Sequence, residues 1–239
     1  MPSPESLWAD EGALNERFPT QEDAEFFGTF LQRLRGSLRV GGSELGLGMM
    51  LFSLAVSIRA ARVVEIGRFK GFSTLALAGA MRFNAIGWEE TKAAHARPDV
   101  DYTKLHADKP RKLISIDKYP MPEARQLIEE AGLLPFVEFV DADSTQMELG
   151  EDLIDLLLID GDHSAQGLQA DIARFVPHVR QGGYIVLHDY FGWYTADGKN
   201  GSPIAQVADK LKTHGVEQLL IDTGYSSLIV FRYTPTAQP

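Results

Sequence analysis

The 239-residue chain contains no cysteine, which excludes disulfides, thiolate zinc sites and cysteine nucleophiles together. Any metal it binds must be held by oxygen or imidazole. No run of about 18 or more apolar residues is present, so no membrane span is expected. The opening residues Met1-Pro2-Ser3-Pro4-Glu5 offer no basic region followed by an apolar stretch, so a signal peptide is not expected either, and the expected location is the cytoplasm. Basic residues are in deficit: 23 Lys and Arg against 33 Asp and Glu give a net charge of −10. No basic cluster is visible that could follow a phosphate backbone, so a nucleic-acid partner is not expected and a small-molecule substrate is. What is present, 44% hydrophobic and 23% charged residues, is the composition of a globular protein with one substantial core.

Apolar runs alternate with amphipathic stretches in the order of a doubly wound α/β sheet. The expected strands are Arg62–Ile66, Lys112–Ile116, Val137–Val140, Ile154–Ile159 and Tyr184–Leu187. Several are apolar at consecutive positions, as strands covered by helices on both faces must be. Helices are expected at Ser73–Arg82, Pro122–Ala131, Ala165–Val179 and Pro203–His214, with Gly132 and Gly215 as stops. Two more β-rich runs, Val216–Ile221 and Ser227–Tyr233, flank the turn signal Asp222-Thr223-Gly224-Tyr225 and predict a C-terminal antiparallel hairpin. The expectation is therefore a seven-stranded, mostly parallel sheet over residues 61–239. Residues 1–60 form an N-terminal helical segment, with helices at Glu22–Leu38 and Gly46–Arg59 that either cap the active site or make a dimer contact. Residues 84–111 are polar and without period, and read as an insertion loop near the active site or a surface excursion.

Open α/β sheets bind ligands at the carboxyl ends of their strands, near the point where strand order reverses. The first strand runs into Glu65-Ile66-Gly67-Arg68-Phe69-Lys70-Gly71-Phe72-Ser73-Thr74. Gly67 and Gly71 permit a tight turn and close backbone approach, while Ser73 or Thr74 can cap the following helix and bond a ligand. The same turn can exist with no ligand at all. The three-glycine spacing that presents a helix N-terminus to a pyrophosphate is missing, and Glu65 repels phosphate and attracts a cation. A nucleoside cofactor with a positive centre fits better than a dinucleotide. Asp117, ending the second strand, can accept both ribose hydroxyls, and the third strand ends in the polar rim Asp141-Ala142-Asp143-Ser144, suited to an adenine edge.

The densest chemistry lies in Asp160-Gly161-Asp162-His163 and His188-Asp189-Tyr190. Both follow apolar strands, so Asp160, Asp162, His163, His188 and Asp189 are expected to converge on the edge that carries the cofactor turn. Asp160, His188 and Asp189 can form a divalent-metal site, or the cluster can be a hydrogen-bonded network with no ion. An imidazole such as that of His163, with an ordinary pKa of about 6.5, suits removal of a hydroxyl proton at neutral pH.

Taken together, the Glu-x-Gly-x-x-x-Gly-x-Ser turn, the acidic second strand, Asp-Gly-Asp-His and Gly-Gly-x-x-x-x-His-Asp-Tyr resemble the class I S-adenosylmethionine-dependent methyltransferases over about residues 44 to 232. The nearest branch is similar to the catechol and caffeoyl-CoA type and to the antibiotic-sugar O-methyltransferases. The resemblance implies a Rossmann-like fold and an S-adenosylmethionine cofactor. It implies that Glu65, Gly67, Gly71 and Ser73 hold the methionine amino group, Asp117 the ribose, and Ala142, Asp143 and Ser144 the adenine, with Asp160 also at the cofactor. It further implies Asp160, His188 and Asp189 as ligands of a divalent metal, magnesium or manganese, and His163 as general base. The chain departs from the pattern at His188, where relatives place an oxygen ligand, which leaves the metal's identity open. Relatives with such extra N-terminal helices are often dimers, so the resemblance leaves a homodimer open.

These residues imply O-methylation of a hydroxyl on a small molecule. His163 takes the proton, a metal on Asp160 and Asp189 lowers the hydroxyl's pKa, and the oxygen attacks the sulfonium methyl. Trp193, Tyr194 and the Gly198–Gly201 loop would shape the acceptor pocket. Two other readings share the sheet: a nicotinamide-dependent oxidoreductase, and a non-catalytic or repurposed S-adenosylmethionine-binding protein.

Overall fold

The computed structural model describes residues 25–27, 29–30, 32–34, 45–94, 110–150, 152–190, 207, 211, 217–222 and 227–234, with the backbone alone at 86–94, 217, 218 and 222. In chain order the elements are α1 (Leu45–Ser57), β1 (Arg62–Ile66), α2 (Phe72–Ala94), β2 (Lys112–Asp117), α3 (Pro122–Glu130), β3 (Val137–Asp141), β4 (Ile154–Ile159), α4 (Ala165–Phe175), β5 (Val179–His188), β6 (Glu217–Asp222) and β7 (Ser227–Arg232). Seven strands make one sheet in the order β3-β2-β1-β4-β5-β7-β6. The first five are mutually parallel, and β7 runs antiparallel to both β5 and β6. The mostly parallel sheet with its terminal hairpin is thus as expected.

Apolar residues on consecutive strand positions divide between two cores because side chains alternate across a strand. Val63, Leu113, Leu156 and Leu158 pack with α1, the described start of α2, and the helical residues Phe26, Phe30 and Leu34. Val64, Ile114, Leu157 and Ile159 pack on the opposite face with Leu168 and Phe175 of α4 and with Val207 and Leu211. Those last two are both helical and lie four apart, one turn on a common face. The remainder of Pro203–His214, Gly215, the Thr223–Tyr225 turn, Trp193, Tyr194 and the Gly198–Gly201 loop lie outside the described residues.

Among the described residues, three boundaries differ from the sequence expectation by more than two residues, each for a physical reason. The helix expected to stop at Arg82 continues to Ala94, so the first part of the expected 84–111 loop is helical, and residues 95–109 are not described. The expected boundary rests on the polarity and missing period of residues 84–111, of which Asn84 is the first. Its side chain is instead buried and donates to the backbone oxygens of Ala55 and Ala60, both at 3.0 Å. It thereby ties α2 to the turn that leaves α1, where the Ala55 oxygen also accepts from Ala60 N at 3.0 Å. The helix expected to reach Val179 ends at Phe175, and Val176–His178 forms one 3-10 turn before β5 begins. Pro177 lacks the N–H that would continue the α pattern. β5 therefore starts earlier than expected, at Val179, and its register against β4 shifts between Ile154 and Leu156, opposite Gly182-Gly183.

Strand register places the chemistry. Ile66 pairs with both Ile116 and Ile159, Asp117 with Asp141, and Ile159 with Leu187. The next residues along these strands, Gly67, Asp160 and His188, therefore emerge side by side. They do so where strand order reverses between β1 and β4, the crevice in which such sheets hold ligands.

Candidate active site

The turn after β1 is held in a conformation few residues can adopt. Gly67 has φ +85° and Gly71 φ +88°. A Cβ on Gly67 would stand 2.1 Å from the Asp160 carbonyl oxygen, and one on Gly71 would stand 2.9 Å from Ala124 Cα in α3. Both glycines are thus required twice, by dihedral and by close approach. Phe69, between them, is also left-handed at φ 45° and 52% exposed.

Three side chains brace this turn. Glu65 is fully buried beneath it, where Oε1 accepts from Ser73 Oγ at 2.5 Å and Oε2 from Thr74 Oγ1 at 2.7 Å and Ser115 Oγ at 2.6 Å. Burial pushes the Glu65 carboxyl above its ordinary range; the three hydroxyls pull it back, and Asp160 adds to the rise. With no exposed surface, Glu65 offers a ligand no direct contact in this conformation and instead sets the shape of the turn. Asp117 reaches across from β2, its Oδ2 accepting the N–H groups of Arg68 and Phe69 at 3.0 Å each and its Oδ1 that of Tyr119 at 2.7 Å. A carboxylate has about four acceptor positions, so room remains for a further donor. Arg68 is buried and threads its guanidinium under β2 and β3. It donates to the backbone oxygens of Ser115 at 2.9 Å and Val140 at 3.2 Å, pairs with Asp141, and lies 5.2 Å over the Phe139 ring.

The segment after β3 is equally ordered. Asp143 accepts from Thr145 N at 3.0 Å, Thr145 Oγ1 at 2.7 Å and Lys118 Nζ at 2.9 Å, and these hydrogen bonds lower its pKa to about 2. Ser144 donates at 2.6 Å to Asp171, a buried acid of α4 whose pKa burial pushes up. Arg174, one turn on, donates to the Thr145 backbone oxygen at 3.0 Å.

Four of the five groups expected to converge after β4 and β5 do so. His188 Nδ1 lies 2.7 Å from Asp160 Oδ1 and 3.4 Å from Asp189 Oδ1. His163 places Nε2 3.3 Å from Asp160 Oδ1 and Nδ1 3.4 Å from Asp189 Oδ2. Asp162 turns away instead; its Oδ1 accepts from Ser164 N at 2.8 Å, and Ser164 in turn caps α4 by accepting from Gly167 N at 3.0 Å. Burial alone would raise Asp160, but the hydrogen bonds and charges of both imidazoles hold its carboxyl below the ordinary range. The hydrogen bond with Asp160 raises His163. Burial opposes ionisation of His188, yet Asp160 and Asp189 raise it. Asp189 is raised by burial and adopts φ 52°, a conformation that costs a non-glycine residue on the order of 1 kcal/mol and tends to persist at functional sites. One donor atom each from Asp160, His163 and Asp189 lies within 4.8 Å of the others, a span that a metal ion can bridge.

Ser115, Arg68 and Asp171 were not singled out in the sequence. Ser115 is a polar residue inside the apolar run Leu113-Ile114-Ser115-Ile116, paired in register with Glu65. Asp171 lies on the buried stripe of α4 with Leu168 and Phe175. A polar residue at an apolar position is a legible signal in both cases. Arg68 carries no such mark.

The profile of one protein family, a methyltransferase domain, matches residues 64–190, more than half of the chain. No curated protein matches in sequence. Among solved structures the fold is similar to that of the O-methyltransferase TomG from Streptomyces achromogenes in complex with SAM (19% identity, TM-score 0.56, covering 98% of this chain and 100% of that one). It is also similar to SAH-bound methyltransferase PaMTH1 from Podospora anserina (13%, TM-score 0.57, 98% and 98%). A third is the O-methyltransferase from Bacillus cereus in complex with SAH (15%, TM-score 0.54, 95% and 99%).

Proposed function

Since the chain belongs to the methyltransferase-domain family, we propose that it transfers the methyl group of S-adenosylmethionine to a hydroxyl oxygen of a small molecule. One observation carries this reading: the imidazole–carboxylate cluster of Asp160, His163, His188 and Asp189 stands beside the double-glycine turn. The Gly67 position lies so close to Asp160 that a methyl group would not fit between them. Proton-accepting chemistry and the reversal of strand order at which such sheets hold ligands thus share one sheet edge. The O-methyltransferases of the same fold support the choice of oxygen as acceptor.

The cofactor supplies, when bound, an electrophilic methyl on a cationic sulfur. The turn from Gly67 to Gly71 meets it with backbone, and buried Glu65 sets a negative field beneath that turn. Asp117 is the acceptor for ribose hydroxyls, and Ala142, Asp143 and Ser144 line the adenine side. His163 takes the proton from the substrate hydroxyl, because it is the more exposed imidazole, 34% against 11% for His188, and is flanked by the carboxylates that stabilise its cationic form. Asp160 and Asp189 are the oxygen donors for a divalent ion, magnesium or manganese, and the donor set suits one. Such an ion supplies Lewis acidity that lowers the hydroxyl's pKa.

Calorimetric titration with S-adenosylhomocysteine, with and without manganese or magnesium, tests the reading; no heat in any condition overturns it. His163→Ala is expected to retain S-adenosylhomocysteine binding and lose turnover about 100-fold or more. Full activity in that variant removes His163 as the base.

A further inference from the structure

His188 stands apart from the other three members of the cluster. It makes the shortest contact there, Nδ1 to Asp160 Oδ1 at 2.7 Å against 3.3 and 3.4 Å for the contacts of His163. Its side chain is 11% exposed. Its backbone is fixed from both sides, His188 pairing with Leu228 of β7 and the preceding Leu187 with Ile159 of β4. The three residues whose donor atoms span an ion-sized gap are Asp160, His163 and Asp189, and His188 is not among them.

A ring nitrogen that donates a proton to a carboxylate has no lone pair to lend to an ion. We propose that His188 is a positioning residue: its Nδ1–H donates to Asp160 and fixes that carboxylate's orientation, leaving the ion to Asp160 and Asp189 and the substrate's proton to His163. This differs from the ligand role implied for His188 by the sequence resemblance. The ion named here rests on the proposed function, whereas the hydrogen bond does not, so the two can fail separately. Donors behind a ligating carboxylate typically change metal affinity or activity by about 10–100-fold when removed.

The test uses the full chain labelled with 15N-histidine. In the metal-free protein, His188 Nδ1 is expected to carry a slowly exchanging proton, and that resonance is expected to disappear in Asp160→Ala, which removes the acceptor oxygen. An unprotonated His188 Nδ1 overturns the proposal whatever the ion does. On titration with zinc, used as a diamagnetic probe, the His188 nitrogens are expected to keep their shifts; a ligand-like shift of either nitrogen overturns it. His188→Asn places an amide nitrogen near the Nδ1 position and is expected to keep zinc affinity and turnover within about threefold of the parent. His188→Ala is expected to lose about 10–100-fold in both. Equal loss in the two variants overturns the positioning role. S-adenosylhomocysteine affinity is expected to be unchanged in either. Loss of that affinity in the parent would instead count against methyl transfer and leave the hydrogen bond standing.

Discussion

Gly67→Ala puts to a direct test the closest approach found at any described glycine. The added Cβ falls 2.1 Å from the Asp160 carbonyl oxygen, 2.5 Å from its carbon and 2.8 Å from Gly161 Cα, all of them backbone atoms. No flexible side chain is available to move aside. Ordinary contact begins near 3.4 Å, so the β1 and β4 turns must part by roughly 1.3 Å. The φ of +85° adds about 1–2 kcal/mol for any L-residue, and overpacking adds about 1–3 kcal/mol, giving a destabilisation of about 2–5 kcal/mol. Gly132→Ala is the control, because Gly132 has φ +68° and a Cβ there meets nothing within 4 Å. It should show the dihedral cost alone. Urea unfolding followed by circular dichroism measures both variants. Because the displaced turn carries Asp160, surviving Gly67→Ala protein is expected to lose turnover by about 100-fold, the scale of a misplacement near 1 Å. A Gly67→Ala protein no less stable than Gly132→Ala, and as active as the parent, refutes the close-approach argument.

Other substitutions probe the bracing groups. Glu65→Gln keeps the shape and most of the polar contacts of this side chain and is expected to stay within about 1 kcal/mol of the parent, whereas Glu65→Ala strands three buried hydroxyls and opens a cavity, costing about 3 kcal/mol or more in urea unfolding. Equal stability of the two would remove Glu65 as a buttress. Asp171 faces Ser144, with Asp143 and Asp162 adding negative potential, and its folded pKa is raised from the ordinary 3.8. The folded state therefore holds this proton more tightly than the unfolded chain, so this group's contribution to stability falls as pH rises from about 4 to the raised value and then levels. Asp171→Asn is expected to flatten that fall in melting temperature against pH; an unchanged slope counts against it. Asn84→Ala leaves two buried carbonyls without their amide and is expected to cost about 1–3 kcal/mol, read by thermal unfolding.

The sequence was most legible where signal and partner are close along the chain. Glu65, Gly67, Gly71, Ser73 and Thr74 form one short motif, and the structure joins them within one turn. It was less legible where a polar side chain serves a distant backbone. Asn84 opens a polar stretch that reads as a loop, since its partners, Ala55 and Ala60, lie 29 and 24 residues away. Strand ends could be placed on a common edge by topology, which brought Asp160, His163, His188 and Asp189 together. Pattern could not say which atom of His188 meets which oxygen, nor that Asp162 turns back to Ser164. Those outcomes depend on rotamers and on the register of β5 against β4, which the Gly182-Gly183 irregularity resets.

The bracing of the Gly67–Gly71 turn by Asp117, Glu65 and Arg68 has a thermodynamic consequence. A loop that must be ordered by its ligand pays conformational entropy at each binding event. Here the N–H groups of Arg68 and Phe69 are already tied to β2, and the Arg68 guanidinium is tied to the ends of β2 and β3. Ligand capture at this turn should therefore carry little ordering penalty, with the entropy lost once, during folding, and not again in each catalytic cycle.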